Sequence, residues 1–222
     1  MKAMKTLAST LILSLGLGLG APALAGKDVA VKITPELAKV TVTHQGKKVT
    51  IMRNQDVKNT VKPAYSKTSR KCPPFCIQPM QLAPGVETIG ETEVLEYLQR
   101  KEDGDDSILV IDSRTPDWVE RGTIPGAVNI PWTQLNASQS DPFTIEDIME
   151  NRFGARKQEG LWNFSNAKTL VMFCNGMWCG QSPNNIKSLL KFGYPAHRIK
   201  WYRGGMQDWE ILGLSTVGDK DK

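Results

Sequence analysis

Only two of the 222 residues are histidine, His44 and His197, and only four are cysteine: Cys72, Cys76, Cys174 and Cys179. That scarcity leaves a metal centre without a ligand set. Neither histidine has a spacing relation to Cys72 and Cys76, and two thiolates alone are weak grounds for zinc. No metal and no cofactor is expected. Charge of one sign is also in short supply. The formal net charge is +5, spread along the chain, which is too little to argue for nucleic acid. No internal repeat is visible. Long apolar runs are missing apart from one near the start, so no membrane span is expected once that run is removed.

That run is Leu7 to Leu19. It follows Lys2 and Lys5 and precedes Ala23-Leu24-Ala25 and Gly26. A positive start, an apolar middle and a small-x-small end make up a secretory signal peptide, predicted to be cut after Ala25. The run is short for a span and rich in glycine, which argues against a retained anchor. No twin arginine precedes it, and no cysteine follows the cut to take a lipid. Losing Lys2 and Lys5 takes the net charge from +5 to +3. A periplasmic or secreted protein is expected, in a compartment where disulfides form and persist.

Residues 26–85 read as an extension. Val40 to His44 and Val49 to Met52 alternate apolar and polar around Gln45-Gly46-Lys47-Lys48, which predicts a β-hairpin. A lone hairpin is marginal in water, so it should pack on the main domain or on a partner. Asn54 to Arg70 has no useful periodicity and reads as a linker. Cys72 and Cys76, with Pro73-Pro74-Phe75 between them, are a disulfide candidate that would pin this linker down.

Residues 86–217 carry an α/β pattern, followed by a polar tail, 218–222. Strands are predicted at Ser107 to Ile111, Ala127 to Ile130, Thr169 to Phe173 and Ile199 to Tyr202. Helices are predicted at Gly90 to Arg100, Pro116 to Arg121, Thr144 to Arg152 and Met206 to Leu212. A further helix starts with Ser182 as N-cap and Pro183 at its first position, and stops at Gly193. Alternating strands and helices imply a mainly parallel sheet covered on both faces.

Three segments, in order, resemble the rhodanese-like (sulfurtransferase) family. Val110-Ile111-Asp112-Ser113-Arg114 and Gly122-Thr123-Ile124-Pro125-Gly126-Ala127 look like its "IDxR … GHIPGA" region, with Thr123 where histidine is usual. Cys174 to Ser182 is a cysteine loop between a strand and a helix. Arg203-Gly204-Gly205, with Trp209, looks like the closing "GGxxxW". The resemblance covers roughly 86–217. It implies the rhodanese fold and makes Cys174 the nucleophile that holds sulfane sulfur as a persulfide. Asp112 and Arg114 are then expected to order the backbone beneath the loop.

The residues make that chemistry plausible in their own right. A cysteine at the carboxyl end of a parallel strand sits where α/β sheets place ligands. Backbone N–H groups of Asn175, Gly176, Met177, Trp178, Gly180, Gln181 and Ser182, with the helix start behind them, would stabilise a thiolate or persulfide. Two departures from the family pattern bear on substrate. Ser182 lies eight residues after Cys174, which makes the loop about two residues longer than is common. The loop also has no Arg or Lys, so a dianion such as thiosulfate would depend on backbone N–H groups or on charges from elsewhere. Gly180 stands where related phosphatases need arginine, which argues against phosphate chemistry.

Cys179 opens a second possibility. It lies in the same loop as Cys174 and could resolve a persulfide or pair with it as a disulfide. Trp178-Cys179-Gly180-Gln181-Ser182 also resembles the thioredoxin "WCGPC" motif, with Ser182 at the second cysteine. Three functions follow: a periplasmic sulfurtransferase, a thiol–disulfide protein using Cys174 and Cys179, or a non-catalytic binding module on the same fold. The partners expected are a sulfane-sulfur donor, a thiol or protein acceptor and a periplasmic protein. Trp178, a large aromatic inside a short loop, is expected to be partly exposed as a docking surface.

Overall fold

The structure, a computed structural model, describes residues 29–218. The expected signal peptide, 1–25, and residues 219–222 of the tail lie outside the described residues. Within them, no helix is long and apolar enough to cross a membrane.

Strands β1 (Lys39–His44) and β2 (Lys47–Met52) form the antiparallel hairpin. The turn between them is tighter than the sequence reading: Gln45 and Gly46 alone span it, both at positive φ, as a two-residue hairpin requires. Alternation then points Val40, Val42 and Ile51 inward, onto the same apolar core as the main sheet. The hairpin packs on the domain. The segment read as a linker is more structured than expected. It contains a one-turn helix, α1 (Pro63–Ser66), whose Tyr65 is buried.

The domain proper runs through β3 (Glu87–Ile89), α2 (Glu91–Glu102), β4 (Ile108–Asp112), α3 (Pro116–Val119), β5 (Val128–Asn129) and α4 (Trp132–Leu135). Next come α5 (Pro142–Asp147), which continues as a π-helical turn over Ile148–Arg152, and a short hairpin of β6 (Arg156–Gln158) and β7 (Leu161–Asn163). The chain closes with β8 (Thr169–Phe173), α6 (Gln181–Lys191), β9 (Ile199–Tyr202) and α7 (Gly205–Ile211).

The main sheet has the order β3-β9-β8-β4-β5, with every neighbouring pair parallel. The four predicted strands are all in it. β3, which the sequence reading missed, forms one edge, and its three residues Glu-Thr-Ile are too few to show a period. Because side chains alternate across a strand, Ile108, Val110, Val171 and Phe173 face α2, α7 and the hairpin. Leu109, Ile111, Leu170 and Met172 face α4, α5 and α6 on the other side. Each fully buried side chain of this size contributes roughly 1.5–3 kcal/mol, so the two faces hold the sheet firmly. β8 lies in the middle, and its carboxyl end is therefore the best-supported point on that rim.

Candidate active site

β8 delivers Cys174 to the carboxyl end of the sheet, between the ends of β9 and β4. The loop that follows is held from three sides. From α7, the N–H groups of Met206 and Gln207 donate to the carbonyls of Cys174 and Asn175, both at 2.9 Å. That close approach explains Gly205: its φ is +55°, and a Cβ there would collide with the Cys174 carbonyl. From below, Arg114 Nη1 donates to Asn175 Oδ1 at 3.2 Å. From outside, the Gln78 N–H donates to the Met177 carbonyl at 2.8 Å, and Arg203 in turn clamps the Gln78 carbonyl through Nε and Nη2. Within the loop, the Cys179 N–H donates to the Gly176 carbonyl at 2.9 Å.

Asp112 and Arg114 are buried and bonded to each other through two guanidinium nitrogens. Arg114 also donates to Tyr65 Oη at 3.0 Å and to the Gly122 carbonyl at 2.6 Å. Burial opposes the guanidinium's charge, but the Asp112 carboxylate outweighs it and raises the Arg114 pKa. Thr123, where the family pattern has histidine, donates its hydroxyl to Asp112 at 2.7 Å. The pair lies beneath the loop, and neither side chain lines the cavity above it.

Ser182 corrects the sequence reading. The helix α6 begins two residues earlier, at Gln181 in place of Pro183, with Gly180 as its N-cap. Ser182 therefore lies within the first turn and caps nothing. Its hydroxyl instead donates to the Cys174 sulfur at 3.1 Å. Pro183 still fits, since N–H groups of a first turn have no intrahelical partner. The helix ends as expected, with Gly193 at φ +86° just beyond its last turn.

The two thiols differ in charge. Burial pushes Cys174 up, yet hydrogen bonds from the Cys179 thiol, the Ser182 hydroxyl and the N–H groups of Ser182 and Gly176 outweigh it. The result is a pKa lowered from 9.0 to about 7. Cys179 moves the opposite way, well above its ordinary value, through burial and the adjacent Cys174. The surroundings thus favour the charge on Cys174 over Cys179, whose thiol also donates to Gln181 Oε1 at 3.8 Å. The amino end of α6 adds its positive dipole.

Above the loop lies a cavity of about 360 Å³. Asn175, Trp178, Cys179, Gly180 and Gln181 form its floor. Trp118, Trp132, Arg70, Pro74 and Phe75 form much of its wall. Cys174, only 2% exposed, does not line the cavity, whereas Cys179 does. Trp178 is half-buried. The Arg70 guanidinium lies 3.6 Å over its ring, Phe75 meets it edge-on at 5.6 Å, and its indole N–H donates to Gln207 Oε1.

Arg70, Phe75 and Tyr65 were not singled out in the sequence. They come from the apparent linker, and their only local trace is proximity to Cys72 and Cys76. Those two cysteines sit with Cα atoms 4.7 Å apart and are joined through their sulfurs, closing a small ring around Pro74 and Phe75. The cation absent from the loop is thus brought to it by the extension. Among the described residues, no group of three or more His, Cys, Asp or Glu side chains could hold a metal ion.

Comparison with known proteins agrees with this architecture. A model of the rhodanese-like domain matches residues 93–212. The HTH-type transcriptional regulator Rv0324 of Mycobacterium tuberculosis is 24% identical over 119 residues, which is 54% of this chain and 41% of the regulator. The chain therefore spans less than half the length of that curated relative. Among solved structures, a human single-domain sulfurtransferase, TSTD1, matches 56% of this chain and 95% of its own at 22% identity and TM-score 0.36. A thiosulfate sulfurtransferase from Pseudomonas aeruginosa matches 61% of this chain and 21% of its own at 18% identity and TM-score 0.40. The family model alone spans more than half of the sequence, from α2 through α7 and across the whole cysteine loop, and so this chain belongs to the rhodanese-like domain family.

Proposed function

We propose that this chain is an exported sulfurtransferase of the rhodanese type that carries sulfane sulfur as a persulfide on Cys174. The observation that carries the reading is the set of donors around the Cys174 sulfur: the Ser182 hydroxyl, the Cys179 thiol and two backbone N–H groups. They favour a thiolate near neutral pH, and the thiolate is the nucleophilic form. It attacks the sulfane sulfur of a donor. The new bond is Cys174 Sγ–S, and the donor's remainder leaves with the electron pair of the broken bond. An acceptor thiolate then takes the outer sulfur and frees Cys174.

Cys179 offers a second exit. Its sulfur attacks Cys174 Sγ of the persulfide, hydrosulfide leaves with the Cys179 proton, and a Cys174–Cys179 disulfide remains. That Cys179 lines the cavity beside Cys174 favours this resolving role, and it equally supports a thiol–disulfide protein as the second reading.

Intact-mass measurement after incubation with a polysulfide tests the two. A gain of one sulfur, kept in Cys179→Ser and lost in Cys174→Ser, is the expected result. Loss of two hydrogens with no sulfur uptake under any donor would overturn it in favour of the thiol–disulfide reading. Secretion of a tagged full-length chain, with Edman sequencing of the mature amino end, tests export. An uncut amino terminus would sink that part.

A further inference from the structure

We propose that the Cys72–Cys76 disulfide is a second thiol–disulfide centre, reduced by a dithiol at the protein surface, and that its state decides whether the segment from Arg70 to Gln78 stays closed over the cysteine loop. The proposal rests on the sulfurtransferase reading and adds the regulation of that site. Three features carry it.

The first is access. Cys72 is exposed and Cys76 partly so, whereas Cys174 and Cys179 are 2% and 4% exposed. A reductant in solution therefore meets the disulfide before it meets either thiol. Exposed disulfides are the labile and regulatory ones. Arg70 and Lys71 immediately precede Cys72 and favour its thiolate once the bond opens.

The second is how the loop is covered. Arg70, Pro74 and Phe75 wall the cavity that Cys179 lines. Pro74 and Phe75 belong to the ring that the disulfide closes. On its α7 side the loop is held by backbone hydrogen bonds at Cys174 itself and at Asn175. On its outer side it accepts the Gln78 N–H at Met177, and the Arg70 and Phe75 side chains rest against the Trp178 ring. The outer side leans more on side chains and is the weaker of the two.

The third is the cost of staying closed. Arg70 Nε and Nη2 are shielded from water and have no hydrogen-bond partner. Unsatisfied donors weigh against the closed arrangement, and stacking on Trp178 offsets part of that cost. The disulfide holds the five residues of its ring in order, and so keeps Phe75 in place. Once it is cut, their backbone freedom opposes closure as well. Reduction therefore shifts the segment toward an open form in which water reaches the guanidinium.

The exchange balances. A thiolate of the dithiol attacks Cys72 Sγ, the bond to Cys76 breaks, and Cys76 leaves with the electron pair and takes up a proton. The second thiolate of the reductant then attacks the reductant's own sulfur in the mixed disulfide and releases Cys72, which is protonated in turn. The dithiol becomes a disulfide, and two electrons and two protons pass to Cys72 and Cys76. The same steps in reverse, with a disulfide as oxidant, close the ring.

Redox state and access are measured separately on the full chain under argon. The first measurement titrates dithiothreitol and maps free thiols by alkylation and mass. Cys72 and Cys76 should become free while the far-ultraviolet circular dichroism stays native. A disulfide that survives until the chain unfolds overturns the redox centre. The second measurement is the rate at which iodoacetamide labels Cys174, taken after the reductant has been removed. At about pH 9 the Cys174 thiol, lowered to about 7, is ionised in every sample, so the rate reports access. Labelling should be about tenfold or more faster in the reduced chain than in the oxidised one, and Cys72→Ser/Cys76→Ser should match the reduced chain. Phe75→Ala, which keeps the disulfide and removes one contact with Trp178, should label at an intermediate rate. Equal rates in the oxidised and reduced chains overturn the latch and leave polysulfide loading of Cys174 untouched. Failure of polysulfide to load Cys174 in either redox state overturns the sulfurtransferase reading itself, whatever the labelling rates.

Discussion

The hydroxyl of Ser182 donates to the sulfur of Cys174 at 3.1 Å while accepting the indole N–H of Trp201 at 3.2 Å. A hydroxyl has one proton to give. With Trp201 donating to its oxygen, that proton is aimed at the sulfur and not at solvent or at a helix end. Ser182 therefore belongs to the cysteine chemistry, and a core tryptophan of β9 decides its orientation.

Ser182→Ala removes this donor and leaves the buried Trp201 N–H unsatisfied. A hydrogen bond to a charged group is worth about 1.5–3 kcal/mol, and one pKa unit is about 1.4 kcal/mol. The Cys174 pKa should rise by roughly one to two units. The midpoint of iodoacetamide alkylation against pH measures it, and an unshifted midpoint would remove Ser182 from the thiolate's support.

The pH dependence of the two thiols should differ. Cys174 is lowered to about 7, so its thiolate fraction and its alkylation rate rise as pH passes upward through about 7. Below that point the protonated form dominates and the rate falls. Cys179 stays protonated across the same interval because burial raises it. In Cys179→Ala the loss of its thiol donor should move the Cys174 midpoint upward. Peptide mapping after alkylation distinguishes the sites, and a step near neutral pH on Cys179 would contradict the assignment.

Arg114→Met should destabilise the domain by about 3–5 kcal/mol, because it strands the buried Asp112 carboxylate. It also removes the bonds to Tyr65, Gly122 and Asn175. Urea unfolding followed by circular dichroism measures the loss. A change below about 1 kcal/mol would mean that water replaces the guanidinium.

Gly205→Ala should cost at least about 2 kcal/mol, from the positive φ and the collision with the Cys174 carbonyl. Gly104, at φ +103° with open space around it, provides the control. Its alanine variant bears only the backbone term, so its thermal midpoint should fall less. Equal shifts for the two would show that the contact beneath Cys174 contributes nothing.

Much of this molecule was legible from its sequence. The run Thr169 to Phe173 entering Cys174, the Asp112 and Arg114 segment, the closing glycines and the hairpin all write themselves in neighbouring residues. Local periodicity and turn chemistry determine strands, helices and the loop between them. Two features did not follow from such signals. The N-cap expected at Ser182 depended on where α6 starts, and the tertiary contact with Cys174 and Trp201 gave its hydroxyl another task. Arg70, Tyr65 and Phe75 lie in a stretch with no period at all, since their partners are Trp178 and Arg114, more than forty positions away. The sequence by itself determined four of the sheet's five strands and the cysteine that follows one of them, because those depend on local order. Only the folded chain decided which thiol carries charge and which cation faces the cavity, because both depend on groups that sequence distance keeps apart.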